Sequence, residues 1–174
     1  LGDVYKRQIP DWFQGDKGTD TDRPTKDWKS AVKLLSSNKN KIIEKALAEV
    51  INDQVNAGID IPTDGEVRRE NYIHYQCRRL IGVSFQEVTH RSVRDGAFEA
   101  DLPTIVSAIS LNETRLEIDW KVAQQFTENP VKITLPGPMT IADSIANSYY
   151  SDDKIMGADL AAALNKEVKA LADA

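Results

Sequence analysis

The chain has 174 residues, 41% hydrophobic and 28% charged, with 22 Lys plus Arg against 27 Asp plus Glu and a net charge of −5. That balance excludes disordered, collagen-like and low-complexity chains. A mildly acidic chain without a basic run is also unsuited to nucleic-acid phosphates or an anionic membrane surface, so neither is expected as a partner.

No apolar stretch approaches the roughly 18–20 residues needed to span a bilayer. The lone cysteine, Cys77, cannot form an internal disulfide and fits a reducing cytoplasm, the expected location. Residues 1–8, Leu-Gly-Asp-Val-Tyr-Lys-Arg-Gln, have no initiator methionine and are expected to be a non-native leader. The chain stops at Leu171-Ala172-Asp173-Ala174, inside a helical pattern with no stop signal, so it is expected to be a fragment.

In chain order, Lys41 to Ala57 places Ile42, Ile43, Ala46, Leu47, Val50, Ile51 and Val55 at helical spacing and ends at Gly58 as a C′ residue. Ile59-Asp60-Ile61-Pro62 reads as a short strand, with Thr63-Asp64-Gly65-Glu66 as the loop after it. Glu70 to Leu80 reads as a helix, Pro103 to Leu111 as a second strand and Glu117 to Thr127 as a helix. Val131 to Leu135 reads as a third strand, broken by Pro136-Gly137-Pro138, after which Thr140 is expected to cap a short helix to about Asn147. From Asp159 onward an alanine-rich helix carries Leu160, Leu164, Val168 and Leu171 on one face. Strands alternating with helices imply parallel βαβ units, compatible with part of a (β/α)8 barrel or with a doubly wound sheet.

In either fold, functional groups gather at the carboxyl ends of parallel strands, where loops converge on one open face. The Asp64-Gly65-Glu66 loop offers two carboxylates around a glycine that permits a tight turn. It could bind an amine, accept a proton or ligate a hard cation, or be a solvated turn that caps the next helix. Leu135-Pro136-Gly137-Pro138-Met139-Thr140 has a rigid backbone suited to a substrate wall, and it lacks the glycine spacing of a nucleotide-phosphate loop. Arg69 and Asn71, nearest Glu66, are candidates to pair with the loop or an anionic substrate, whereas Arg68, Arg78, Arg79, Arg91 and Arg94 read as surface charge. His74 and Cys77 share a helix face, but no further ligands stand at matching spacing, so they read as a structural histidine and a buried thiol. His90 reads as isolated, and Trp12, Trp28 and Trp120 as packing residues.

Two longer segments carry more specific information. Gly58-Ile-Asp-Ile-Pro-Thr-Asp-Gly-Glu-Val-Arg-Arg-Glu-Asn-Tyr-Ile73, followed by Val131-Lys-Ile-Thr-Leu-Pro-Gly-Pro-Met-Thr-Ile141, resembles the cobalamin-independent methionine synthase family, in its carboxy-terminal catalytic domain and its shorter single-domain relatives. Asp119-Trp120-Lys121-Val122-Ala123-Gln124 and the Tyr149-Tyr150 pair add to the resemblance.

The resemblance implies an α/β fold, a (β/α)8 barrel of the methionine synthase and uroporphyrinogen decarboxylase type, of which residues 9–174 form the N-terminal portion. A complete barrel of this kind runs to about 250 residues. It further implies a zinc-dependent methyl transfer from 5-methyltetrahydrofolate, as the polyglutamate, to homocysteine in methionine biosynthesis. Zinc lowers the pKa of a bound thiol and holds it as a nucleophile.

By position, Glu66 is the family's acceptor for the amino group of the thiol substrate. Asp64, Arg69, Asn71, Gly137, Pro138 and Thr140 are the accompanying substrate-binding candidates. The family's zinc ligands, a His, two Cys and a Glu, are expected downstream of Ala174, so this stretch by itself is expected neither to bind zinc nor to transfer methyl groups. The sequence departs from the family in two places. Phe98 and Glu99 stand where the full-length synthases have a folate-contacting Arg-Cys pair, and Ser144 replaces an aromatic residue. Alternatives within the same barrel are zinc-dependent alkylation of another thiol such as coenzyme M, or a metal-free uroporphyrinogen decarboxylase-like enzyme; outside enzymes, the alternative is an accessory binding module.

Overall fold

A computed structural model describes residues 23–93 and 98–174; residues 1–8, Trp12 and Arg94 lie outside them. The chain begins with α1 (Arg23–Leu34), a 3-10 turn (Ser36–Asn38) and α2 (Lys39–Asn56). There follow α3 (Tyr72–Cys77), β1 (Leu80–Val93), β2 (Phe98–Leu111) and α4 (Leu116–Gln124). The remaining elements are α5 (Pro138–Ser144), β3 (Ala146–Asn147) and α6 (Asp153–Ala172). None of the described helices is long and apolar enough to cross a membrane.

Helix α2 forms as its apolar spacing requires, burying Ile43, Leu47, Val50, Ile51 and Gln54 on one face. It ends as expected at Gly58, whose φ of 82° lets its amide donate to Val55 O at 3.0 Å and the Ile59 amide donate to Gln54 O at 3.0 Å. This is the Schellman pattern, which satisfies carbonyls that the helix end leaves open.

The strand expected at Ile59–Pro62 is not a ladder strand. Ile59 and Ile61 are exposed, and pairing is reduced to one parallel bridge between Thr63 and Lys132, with the Lys132 amide donating to Pro62 O at 2.9 Å. Pro62 has no N–H to extend the pairing. The third expected strand, Val131–Leu135, is reduced to the other half of the same bridge.

The helix expected to reach Leu80 stops at Cys77, and β1 and β2 pair as two long antiparallel strands. Ile81, Val83 and Phe85 stand at the two-residue period of a strand, a run that starts where the helical spacing reaches Leu80. Register slips between Ile81 and Val83, where Gly82 takes φ 93°. A Cβ there would stand 2.6 Å from the carbonyl oxygens of both Ser107 and Ala108, so the close approach requires glycine. His90 is not isolated. Its Nδ1 lies 2.9 Å from Asp101 Oδ1 across the strand pair, a hydrogen bond that raises the pKa of the exposed imidazole.

Beyond this pair, β2 pairs in parallel with β3 through Thr104–Ala146 and Ile105–Asn147. The main core lies between β2 and the α5–α6 pair, with Ile105, Ile109, Ile141, Ile145, Leu160 and Leu164 at its centre. A smaller core joins α2 to α4 through Leu47, Ile51, Ala123 and Val131. Helix α6 starts six residues before the expected Asp159, capped by Asp152, which accepts from the Lys154 amide at 2.8 Å. Its buried stripe is Met156, Leu160, Ala163, Leu164 and Glu167, while Val168 is exposed.

Candidate functional site

The loop after Thr63 is held from its first residue. Gln54 on α2 receives the Thr63 amide on Oε1 at 2.9 Å and donates through Nε2 to Thr63 O at 2.9 Å. A buried side-chain amide thereby satisfies both backbone groups of Thr63 as a neighbouring strand would. The Gly65 amide then donates to Thr63 Oγ1 at 3.1 Å, the Glu66 amide to Asp64 Oδ1 at 3.1 Å and the Val67 amide to Asp64 O at 3.3 Å.

Gly65 (φ 60°) and Glu66 (φ 56°) are consecutive left-handed residues at the centre of this turn. The conformation is natural for Gly65. For Glu66 it is strained by roughly 1–3 kcal/mol, which persists only where the surroundings over-determine it. The strain presents a Glu66 side chain that is largely buried, with 9% of the residue exposed.

Asp64 is wholly buried and forms an ion pair with Arg69, Nη2 to Oδ2 at 2.6 Å. The other terminal nitrogen of Arg69 donates to Thr134 O at 2.9 Å. Thr134 lies two residues ahead of the Pro136-Gly137-Pro138 break, so one guanidinium ties the acidic loop to the second candidate loop. The Thr63–Lys132 bridge runs parallel, which puts the carboxyl ends of both segments on the same edge.

On the second loop, Pro136 is buried, Pro138 and Thr140 are half-buried, and Gly137 and Met139 are exposed. Thr140 does not cap α5. Gly137 is the N-cap and Pro138 the first helical residue, a position where its missing N–H costs nothing. Thr140 lies within the helix, its carbonyl accepting from Ser144 Oγ at 2.7 Å, and α5 ends at Ser144 rather than Asn147.

Asn71 is committed to capping α3, accepting from the Ile73 amide at 2.9 Å and the His74 amide at 3.1 Å. The surface reading of Arg79 fails as well. It is buried, with its guanidinium 3.9 Å from the Tyr75 ring centroid and donating to Tyr75 O. Arg78 is half-buried, paired with Glu70 and stacked on Phe85 at 4.9 Å; burial brings its pKa down to about 10.

His74 meets Phe85 edge-on at 5.9 Å, and burial lowers its pKa to about 4. Cys77 is fully buried in the main core, and desolvation pushes its thiol up to about 12. Both fit the structural reading. A zinc ligand thiol must deprotonate, so burial in an apolar core opposes coordination. Among the described residues no group of three or more His, Cys, Asp or Glu is placed to hold a metal ion. Cys77 is thus not set up as a zinc ligand.

The sequence reading missed what lies behind the loop. Asp119 on α4 is wholly buried, pairs with Arg68 Nε at 3.0 Å and accepts from the Tyr75 hydroxyl at 2.6 Å. One signal could have found it: Leu116, Asp119 and Ala123 share the buried stripe of α4, and a carboxylate on an apolar stripe requires partners. The same helix reaches the second loop. Trp120 Nε1 donates to Val131 O at 3.1 Å, and Gln124 Oε1 accepts from the Val131 amide at 3.0 Å.

Comparison with known proteins places this geometry in context. A family model described as the catalytic domain of the cobalamin-independent synthases matches residues 18–174. The methionine synthase of Saccharolobus solfataricus is 35% identical over 147 residues, covering 83% of this chain and 43% of that protein. The methionine synthase of Sulfolobus acidocaldarius is 33% identical over 146 residues, covering 82% and 42% respectively. A B12-independent methionine synthase from Shewanella sp. W3-18-1, solved in complex with selenomethionine, superimposes with a TM-score of 0.72 at 31% identity, over 79% of this chain and 40% of that one. The fold is accordingly part of the (β/α)8 barrel type, and the chain spans less than half the length of these relatives.

Proposed function

Because the chain belongs to the cobalamin-independent methionine synthase family, we propose that it supplies the amino-acid side of a site at which a methyl group passes from 5-methyltetrahydrofolate to homocysteine. In this proposal residues 9–174 are the N-terminal portion of one barrel domain. The observation that carries the reading is the Arg69 link between the acidic loop and the Gly-Pro loop, on one edge of a parallel pair. Two loops brought together just past a parallel bridge, one with a largely buried carboxylate, make a receptor for an ammonium group in a partly desolvated mouth.

The residues divide the work. Glu66 receives the substrate ammonium. Asp64 and Arg69 hold the turn that presents Glu66 and fix its distance to the second loop. Gly137, Pro138 and Thr140 form a wall against the substrate chain. Asn71 contributes only through α3. A relative in complex with selenomethionine, an amino acid with the same ammonium and a similar side chain, supports the assignment. Zinc activation of the thiol belongs to the proposal as family chemistry, with its ligands assigned to positions beyond Ala174.

The test is Glu66→Gln in an enzyme of the relatives' length that contains this chain. A charge-assisted hydrogen bond contributes about 1.5–3 kcal/mol, so homocysteine affinity is expected to fall roughly ten- to a hundredfold, with zinc content unchanged. Unaltered homocysteine binding by Glu66→Gln makes the residue structural. It also removes the argument for an amino-acid thiol over one without an ammonium, such as coenzyme M.

A further inference from the structure

Glu66 sits in a strained turn that needs anchoring on both sides. Its N-terminal side is anchored by Gln54 and by the hydrogen bonds of Thr63 and Asp64. On the C-terminal side, adjacent arginines reach different supports. Arg69 returns to Asp64 and Thr134, while Arg68, two residues after Glu66, reaches Asp119 at 3.0 Å. Asp119 belongs to α4, an element distant in sequence, and it is wholly buried.

A buried carboxylate is retained at a desolvation cost and needs good partners on both oxygens. The Tyr75 hydroxyl hydrogen-bonds Oδ2, and on Oδ1 the Arg68 guanidinium stands 3.0 Å away as an ion pair without hydrogen-bond alignment, so Arg68 is the only counter-charge shown on that oxygen among the described residues. Burial and the neighbouring carboxylate raise the Tyr75 pKa, so the phenol remains a neutral donor. The next residue on α4, Trp120, and Gln124 one turn further hold Val131 at the base of the second loop.

We propose that Asp119 is a positioning residue: through Arg68 it fixes the Glu66 turn to α4, the helix that also holds the Gly-Pro segment, and so sets the spacing of the two loops for the amino-acid substrate. The inference rests on the reading of Glu66 as the ammonium acceptor. In this proposal Asp119 acts through Arg68 and the turn rather than by touching substrate.

The experiment uses Asp119→Asn, Arg68→Gln and the double variant in an enzyme of the relatives' length containing this chain, with Glu66→Gln alongside. Asn retains an oxygen for the Tyr75 hydroxyl, and Arg68 is partly solvent-exposed, so each single variant is expected to fold. Misplacing a binding group by a fraction of an ångström to an ångström is expected to raise the homocysteine KM roughly tenfold in either single variant. KM should rise more than kcat falls, and the double variant should be no worse than the poorer single, because both changes break one link. Arg68→Lys, which keeps the charge, should recover part of the loss.

Amide hydrogen exchange across residues 65–69 gives a readout independent of substrate and should be faster in Asp119→Asn than in wild type. An unchanged KM in Asp119→Asn beside a raised KM in Glu66→Gln overturns the positioning role. An unchanged KM in Glu66→Gln overturns the functional reading instead. In that case exchange decides the inference: faster exchange upholds the anchoring by Asp119, and unaltered exchange overturns it.

Discussion

Asp64 is the residue whose removal tests the candidate site most directly as a piece of physical chemistry. It is wholly buried, and both of its oxygens are engaged, Oδ1 by the Glu66 amide at 3.1 Å and Oδ2 by Arg69 at 2.6 Å. Asp64→Asn preserves the shape and can still accept from the Glu66 amide, but it leaves the Arg69 guanidinium, 1% exposed, without its counter-charge. Breaking a buried pair from one side costs about 3–5 kcal/mol. The remaining bond from Arg69 to Thr134 O offsets part of this, so a loss of about 3 kcal/mol is expected, with a urea m-value near 2 kcal/mol/M lowering the midpoint by about 1.5 M. Urea unfolding followed by tryptophan emission reads this directly, because Trp120 is hydrogen-bonded to Val131 beside the bridge. Asp64→Asn/Arg69→Met removes both charges and should recover much of the loss, as apolar replacements of buried pairs commonly do. A midpoint shift below about 0.5 M in Asp64→Asn would refute the assignment of the ion pair as the brace of the turn.

Glu167, buried on α6, accepts from the Arg115 and Leu116 amides at 3.2 and 3.3 Å at the positive end of α4 and from Gln76 at 3.3 Å, so Glu167→Ala should lower stability by about 2–4 kcal/mol in urea unfolding. His74 titrates near 4 when folded against 6.5 ordinarily, so from pH 6.5 down to about 4 the unfolded chain takes up a proton that the folded chain refuses. Its contribution is present above pH 6.5 and lost on acidification, by about 3 kcal/mol at most, and His74→Leu should lose less stability than wild type between pH 7 and 4.5. Gly82→Ala introduces a Cβ 2.6 Å from two carbonyl oxygens at a φ of 93°, and a loss of more than about 1 kcal/mol is expected from its thermal midpoint.

The features legible along the chain were local ones. The 3.6-residue spacing of Ile43, Leu47, Val50 and Ile51 dictated α2, and Gly58 dictated its end, because only a residue free to adopt positive φ completes that cap cheaply. The Asp-Gly-Glu and Gly-Pro segments were legible as loops, and with them the family resemblance, because turn chemistry is carried by a few consecutive residues. The outcome at Leu80 was tertiary. Periodicity continued the helix, whereas pairing with Leu111 and burial in the main core made the residue the start of a strand.

The same division runs through the site. Neighbours in sequence suggested Arg69 and Asn71 as substrate contacts. The fold commits Asn71 to a helix cap and makes Arg69 a link between loops that its own segment does not reveal. Asp119 acquires its partners Arg68 and Tyr75 only when α4 packs behind the turn. Caps and turns are satisfied by atoms a few residues away, so they can be read along the chain. A buried charge must find its counter-charge wherever packing excludes water, and only the tertiary structure decides which residue that is.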